Sequence, residues 1–388
     1  IPGLSTFFLG LILVVLGTGL LKPNISAIVG ELYGLSDERR DAGFTIFYMG
    51  INIGAALGPL ICGLLARDSW HYGFAAAGVG MLVGLIQFRA TRAHLGIAGL
   101  EPDLAPTSIS VQRNAWVGIG AFLLAVVALL VAGLTGVMQF DAVSLARGTT
   151  YAIGILGLLY FAYLFLLGGL TRDERGRVVV ILALFLAAAM FWAGFEQAGS
   201  SLNLFAERYT VREFGAFEIP AAWFQSLNPI FIILLAPLYS MLWVTLARRH
   251  LNPAAPLKFA AGLIILGAGF AVMIGAARLV ASGDQVLPTW LFFTYLFHTM
   301  GELALSPVGL SSVSKLAPRR FVGQMMGVWF LAASLGNIIA GLIAGEFRAD
   351  AVDEMPGLYL QIVLTTVGSG LLLAICARPL KRLMAGRH

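Results

Sequence analysis

Residues 177–199 read RVVVILALFLAAAMFWAGFEQAG, and the eighteen residues from Val178 to Phe195 carry no charge. At 1.5 Å per residue such a run rises about 27 Å, close to the thickness of a bilayer's hydrocarbon core, so it predicts a membrane-spanning helix. The run ends on Glu196, whose nearest basic residues in the chain are Arg177 and Arg208. An acid placed at the end of such a helix, with no local counter-charge, predicts a functional group. Working outward with the same criterion gives eleven candidate spans, at about 5–30, 43–66, 73–89, 115–135, 149–170, 177–199, 220–246, 259–278, 288–313, 322–345 and 357–377.

The 388 residues are 59% hydrophobic and only 12% charged. A soluble domain carries about 25% charged residues, so this composition excludes an ordinary globular protein. The net charge of +5 is spread between apolar runs and forms no basic stripe able to follow a phosphate backbone, so no nucleic-acid partner is expected. Cys62 and Cys376 both lie inside apolar stretches and define neither a disulfide framework nor a metal site.

The connections test the span count independently of hydropathy. Eighteen basic residues, among them Arg39, Arg89, Arg172, Arg248, Lys258, Lys315 and Lys381, fall on one side. Six, namely Arg67, Arg147, Arg208, Arg212, Arg278 and Arg348, fall on the other, and Lys22 lies within the first span. By the positive-inside rule the richer side faces the cytoplasm, which predicts a cytoplasmic C-terminus and an external Ile1. The chain opens on Ile1 without a signal-peptide pattern, and the expectation is an N-terminal truncation that removes an odd number of spans.

Residues 90–114, with Gly99, Pro102 and Pro106, read as a linker, and TRDERGR at 171–177 reads as a charged turn. Between them, 115–170 form a hydrophobic hairpin expected to face lipid. Gly50, Gly54 and Gly58 make a small-residue stripe at four-residue spacing, repeated by Gly341 and Gly345, for which helix packing is the expected role.

Three ionisable residues stand at membrane depth, where each charge costs about 2.5–3.5 kcal/mol on insertion scales. Lys22 lies in GTGLLKPNIS, next to Pro23, which has no N–H to give the helix ladder. Glu196 ends the run quoted above, and Glu302 sits in the middle of LFHTMGELALSPVGLS. His298, four residues before Glu302, is expected as a polar cavity neighbour, because a His and a Glu without a third ligand make no metal site. No HExxH, GxSxG or GxxxxGK[ST] pattern occurs, so neither enzyme chemistry, a metal nor any other cofactor is expected. One cation and two anions within many spans point to a solute pathway.

Five segments then carry a resemblance: GTGLLKPNISAIVGELY at 17–33, DERRDAGFTIFYMGINIGA at 37–55, FWAGFEQAGSSL at 191–202, WFQSLNPIF at 223–231 and GELALSPVGLSSVSKLAP at 301–318. In this order they are similar to the proton-dependent oligopeptide transporter (POT/PTR) family of the major facilitator superfamily, whose signature the FYxxINxGA portion matches. The resemblance implies an all-α polytopic membrane protein of the major facilitator fold, with eleven of the fourteen helices of a bacterial member and the first three, with their Glu-x-x-Glu-Arg motif, missing. It implies residues 1–90 as the remainder of an N-terminal bundle (helices four to six), 91–114 as a cytoplasmic linker, 115–170 as an inserted hairpin, and 171–388 as a C-terminal six-helix bundle.

The implied activity is proton-coupled symport of di- and tripeptides by alternating access, in a monomeric unit of the inner (plasma) membrane. Lys22 is implied to pair with a helix-one acid and the peptide carboxylate, Glu302 to hold the peptide amino group, and Glu196 to couple the proton. Asn52, Asn228, Trp192, Ser306 and Trp329 are implied around the ligand. An extended di- or tripeptide is about 7–11 Å between its charged ends, so a cation and an anion at separate points can anchor it through groups common to all peptides. Two alternatives stand beside this: a family member specialised for another anion or a drug-like solute, and an intramembrane enzyme using His298 and Glu302.

Overall fold

A computed structural model describes residues 4–32, 39–99, 109–136, 141–346 and 352–384; several side chains within these ranges, Lys22 among them, lie outside the description. The described chain is almost entirely helical. Twelve α-helices follow one another as α1 (Leu4–Glu31), α2 (Arg39–Ala66), α3 (Trp70–Thr91), α4 (Ile109–Leu134), α5 (Ala142–Leu166), α6 (Arg172–Phe195), α7 (Ser201–Tyr209), α8 (Leu227–Arg248), α9 (Ala255–Ala281), α10 (Thr289–Leu316), α11 (Val322–Gly345) and α12 (Met355–Leu383). Each of the eleven predicted spans coincides with one of these, and α7 is an additional short helix. Nine stretches among the described residues are long and apolar enough to cross a bilayer.

Several helix ends run past the predicted spans, whereas α5 stops at Leu166 rather than 170 and α8 starts at Leu227 rather than 220. Helix α4 begins at Ile109 rather than 115, and a 3₁₀ turn occupies Arg92–Leu95 within the expected linker. The reason is physical: the hydropathy window ends where polar residues begin, whereas the hydrogen-bond ladder continues through the polar interface. Residues 100–108 of the linker lie outside the described residues.

The contacts divide the chain into two compact units. The first comprises Ile1–Ile51 and Ala77–Ala142. In it, Gly99, at φ +72°, donates its N–H to Glu31 Oε2 at 2.6 Å and lies against the Ile28 side chain, tying the end of α1 to the turn that follows α3. Most described side chains of α1, α3 and α4 are exposed.

The second unit comprises Asn52–Ala76 and Val143–His388. Its core is built by α6, α9, α10, α11 and α12, with Leu184, Phe191, Leu266, Phe270, Tyr295 and Tyr359 almost fully enclosed. Lipid tails are as apolar as leucine, so close packing rather than water exclusion holds such helices together, and small residues at the crossings allow it. A Cβ on Gly262 would stand 2.8 Å from the Gly301 carbonyl oxygen, and one on Gly301 would stand 2.7 Å from that of Gly262, so α9 and α10 meet backbone to backbone. Helices α9 and α12 meet at Gly370, 3.0 Å from the Ala260 carbonyl, and α6 meets α11 at Gly336, 2.7 Å from the Ala189 carbonyl, both measured from an added Cβ.

These are not the glycines singled out by their spacing. Gly54, Gly58, Gly341 and Gly345 have no described atom within 4 Å of the Cβ position. Four-residue spacing marks a smooth face, but whether another helix lies on it depends on partners that local sequence does not name. Helix α5 is likewise less lipid-facing than expected: Phe161 and Leu164 are buried, Phe161 packs on Phe185 of α6, and Tyr160 donates to Gln324 at 3.0 Å.

The turn before α6 is a capping box, in which Thr171 Oγ1 accepts from the Glu174 N–H at 3.3 Å and Glu174 Oε2 accepts from the Thr171 N–H at 2.9 Å. Beyond α7, a hairpin of β1 (Glu213–Phe214) and β2 (Phe217–Glu218) turns at Gly215, φ +65°. Arg212 holds it through an ion pair to Glu218 at 2.6 Å, while donating to the carbonyls of Ile219 at 2.8 Å and Glu207 at 3.1 Å.

Candidate functional site

Helix α6 gives way after Phe195 to a 3₁₀ turn at Glu196–Gly199, which then leads into α7. A 3₁₀ segment inside a long helical run marks a point of altered geometry, and Glu196 occupies its first position. Gln197, fully buried, pins this turn: its Nε2 donates to the Ala340 carbonyl of α11 at 3.0 Å and to Ala193 at 3.3 Å, and its Oε1 accepts from Ser201 at 2.6 Å. Tyr295 of α10 donates its hydroxyl to the Ala198 carbonyl at 3.2 Å, so the turn is anchored to the helix that carries Glu302.

On α10 the residues Tyr295, Thr299, Glu302 and Ser306 recur at helical spacing and form one polar stripe. Asn228, near the start of α8, crosses to it: its Nδ2 donates to Glu302 Oε2 at 2.9 Å and to Thr299 Oγ1 at 3.1 Å, and Thr299 in turn donates to the Tyr295 carbonyl at 2.8 Å. The Ser306 hydroxyl, one turn further, is buried and has no hydrogen-bond partner among the described residues. The Tyr295 bond to Ala198 therefore brings the turn that opens with Glu196 onto the helix of Glu302. Two acids in a low-dielectric bundle are relieved by a proton or by a cationic ligand.

The segment leading into α8 is anchored on α2. Trp223 Nε1 donates to the Leu60 carbonyl at 2.9 Å, and Ser226 donates to that of Ala56 at 2.7 Å, which sets the position from which Asn228 reaches α10.

Of the residues expected at the site, Glu302 and Ser306 share the stripe on α10, Asn228 reaches Glu302 from α8, and Glu196 opens the 3₁₀ turn anchored to α10. Asn52 is buried within α2, at 5% exposure. Trp192 is half-buried and packs edge-on against Phe191 and Phe195. Trp329 is buried against Phe259 and over Gly309, so its described contacts are those of packing between α11, α9 and α10. The side chain of Lys22 lies outside the described residues.

His298 does not join the polar stripe. It is 1% exposed, with its ring 4.7 Å from that of Phe270, and it lies against Gly269 of α9. Residues four apart on an α-helix differ by about 40° around the axis, enough to turn His298 towards α9 while Glu302 faces α8. Among the described residues no group of three or more His, Cys, Asp or Glu is arranged to hold a metal ion. Thr299, Tyr295 and Gln197 were missed by sequence reading; the hydroxyls three and seven positions before Glu302 are the signal that could have found the first two.

Comparison with known proteins agrees with this architecture. The sequence pattern of the family described as PTR2: POT family matches residues 3–355. "Peptide transporter YePEPT" of Yersinia enterocolitica subsp. palearctica serotype O:3 (strain YE-P4) is 43% identical over 394 residues, covering 98% of this chain and 76% of that protein. A "Di-/tripeptide transporter" of Lactococcus lactis subsp. cremoris is 34% identical over 395 residues, covering 98% and 77%. The crystal structure of peptide transporter POT in complex with sulfate superposes with a TM-score of 0.90 at 39% identity, over 100% of this chain and 77% of that one. A POT family transporter in complex with 5-aminolevulinic acid gives a TM-score of 0.85 at 30% identity, over 97% and 77%. The chain spans about three quarters of the length of these relatives, is an integral membrane protein of the major facilitator fold, and belongs to the POT family.

Proposed function

We propose that this chain is a proton-coupled symporter of di- and tripeptides working by alternating access. The observation that carries the reading is the Glu302 carboxylate, held by Asn228 at 2.9 Å on the polar stripe of α10 inside a membrane bundle. A retained pair of acids at membrane depth is costly unless it handles a cation or a proton. The peptide amino terminus is the first, and the symported proton is the second. The names of the relatives, peptide transporter and di-/tripeptide transporter, support the same substrate class.

Glu302 takes the ligand's ammonium group, Lys22 its carboxylate, and Glu196 the coupling proton, with Asn52, Asn228, Trp192, Ser306 and Trp329 contributing around the ligand. The domain plan is that read from the sequence: part of an N-terminal bundle at 1–90, a linker at 91–114, an inserted hairpin at 115–170, and a six-helix bundle at 171–388. The working unit is a monomer in the inner membrane, with a cytoplasmic C-terminus by the distribution of basic residues.

Proteoliposomes with an inward proton gradient test the reading. Labelled dipeptide should accumulate, and a protonophore should abolish the accumulation. Peptide uptake indifferent to the gradient would remove proton coupling. Uptake competed by nitrate or a drug-like conjugate but not by unlabelled dipeptides would favour the specialised-solute reading.

A further inference from the structure

A cavity of about 840 Å³ lies within the second unit among α8, α9, α10 and α12, and none of the residues proposed for transport lines it. Its chemistry changes along its length. At one end Ala236, Leu303, Pro307 and Val308 form an apolar wall, and at the other Lys258, Lys315, Lys381 and His250 converge. No Asp or Glu is among its described lining residues. Between the two ends stand Tyr239, Trp243 and the hydroxyls of Ser240, Ser311 and Ser312.

The three lysines come from different helices, at the first turn of α9 and the last turns of α10 and α12, so the cavity rather than one helix collects them. Lys258 Nζ lies 4.2 Å from the centre of the Trp243 ring, a cation–π contact that holds its ammonium at the cavity wall. Lysines collected in one cavity repel one another, which favours an anion among them. His250, directly after α8, has φ 57° and is the one non-glycine residue with positive φ among the described residues.

The length of the cavity selects among anions. On α8 the lining runs from Ala236 to Ala247, about 16 Å, and on α10 from Leu303 to Leu316, about 20 Å, at 1.5 Å per residue. A free phosphate would occupy only the basic end. We infer that the cavity is a binding site for an anionic phospholipid, the phosphate held by Lys258, Lys315 and Lys381 and an acyl chain lying along the apolar wall towards Ala236 and Leu303. The basic end falls on the side rich in arginine and lysine, where basic pockets between helices hold anionic headgroups, and Trp243 and Tyr239 line the cavity beside it. The leaflet rests on the cytoplasmic orientation proposed above, whereas lipid retention is read without any transport measurement.

Native mass spectrometry of the purified chain in detergent tests this with phosphatidylglycerol, phosphatidylcholine of the same acyl chains, and inorganic phosphate. Phosphatidylglycerol should be retained in preference to phosphatidylcholine. Combined Lys258→Gln, Lys315→Gln and Lys381→Gln should weaken retention by about fivefold per lysine, and arginine at the same three positions should restore it. Ala236→Phe, which fills the apolar end and leaves every charge in place, should also release the lipid. Equal retention of both lipids, or unchanged phosphatidylglycerol on the glutamine variant, would overturn the inference. Displacement of the lipid by millimolar inorganic phosphate, with Ala236→Phe having no effect, would overturn it in favour of a free-anion site.

Discussion

Replacing Glu302 with glutamine removes one charge and almost no volume, which makes it a clean probe of the polar stripe on α10. The amide oxygen of the substituted side chain can accept from Asn228 Nδ2 where Glu302 Oε2 does so now, at 2.9 Å, and Thr299 keeps its donation to the Tyr295 carbonyl. The substitution should therefore leave the α8–α10 contact intact while removing the anion offered to a ligand. A hydrogen bond to a charged group contributes about 1.5–3 kcal/mol, and 1.4 kcal/mol is tenfold in affinity, so the loss is roughly ten- to a hundredfold. Uptake of Ala-Ala and of N-acetyl-Ala-Ala should be measured across a range of concentrations in proteoliposomes of the wild type and Glu302→Gln. KM for the free dipeptide should rise by that factor, and KM for the blocked one should change little, because it brings no ammonium group. An equal rise for both peptides would refute the reasoning and assign Glu302 a structural role.

Three further outcomes are expected. Glu196→Gln should abolish uptake driven by a pH gradient but retain exchange of labelled for unlabelled peptide at saturating concentration; a mutant that still concentrates peptide with protons would remove Glu196 as the coupling group. Gly301→Ala should lower the thermal stability of the detergent-purified chain by about 1–3 kcal/mol, since its Cβ would stand 2.7 Å from the Gly262 carbonyl oxygen, whereas Gly341→Ala, with no described neighbour, should change it by less than about 0.5 kcal/mol. Arg212→Gln should loosen the hairpin at 213–218 more than it destabilises the whole, because Glu218 is 44% exposed and the ion pair itself contributes little; faster proteolysis there with an unchanged melting temperature is the expected readout.

Membrane insertion and eleven of the twelve described helices were legible in the order of residues. They follow from local rules: a run of about twenty apolar residues must form a helix in lipid, because each of its backbone hydrogen bonds closes within the segment, and a charge inside such a run needs a reason to be there. Motif order was local too, which is why the family could be read from five short segments. Partners were not local. Spacing put a packing face on Gly54 and Gly58, whereas among the described residues close backbone approaches fall at Gly262, Gly301 and Gly336. Spacing put His298 beside Glu302, yet the tertiary fold turns its ring into an aromatic core and gives Glu302 the amide of Asn228, seventy-four residues earlier. The same holds for the basic cavity, whose three lysines lie on three helices and acquire a common purpose only when α9, α10 and α12 converge. A hydrophobic pattern states which groups must leave water or enter lipid; which neighbour each then meets is set by the crossings of whole helices, and those depend on every other helix in the bundle.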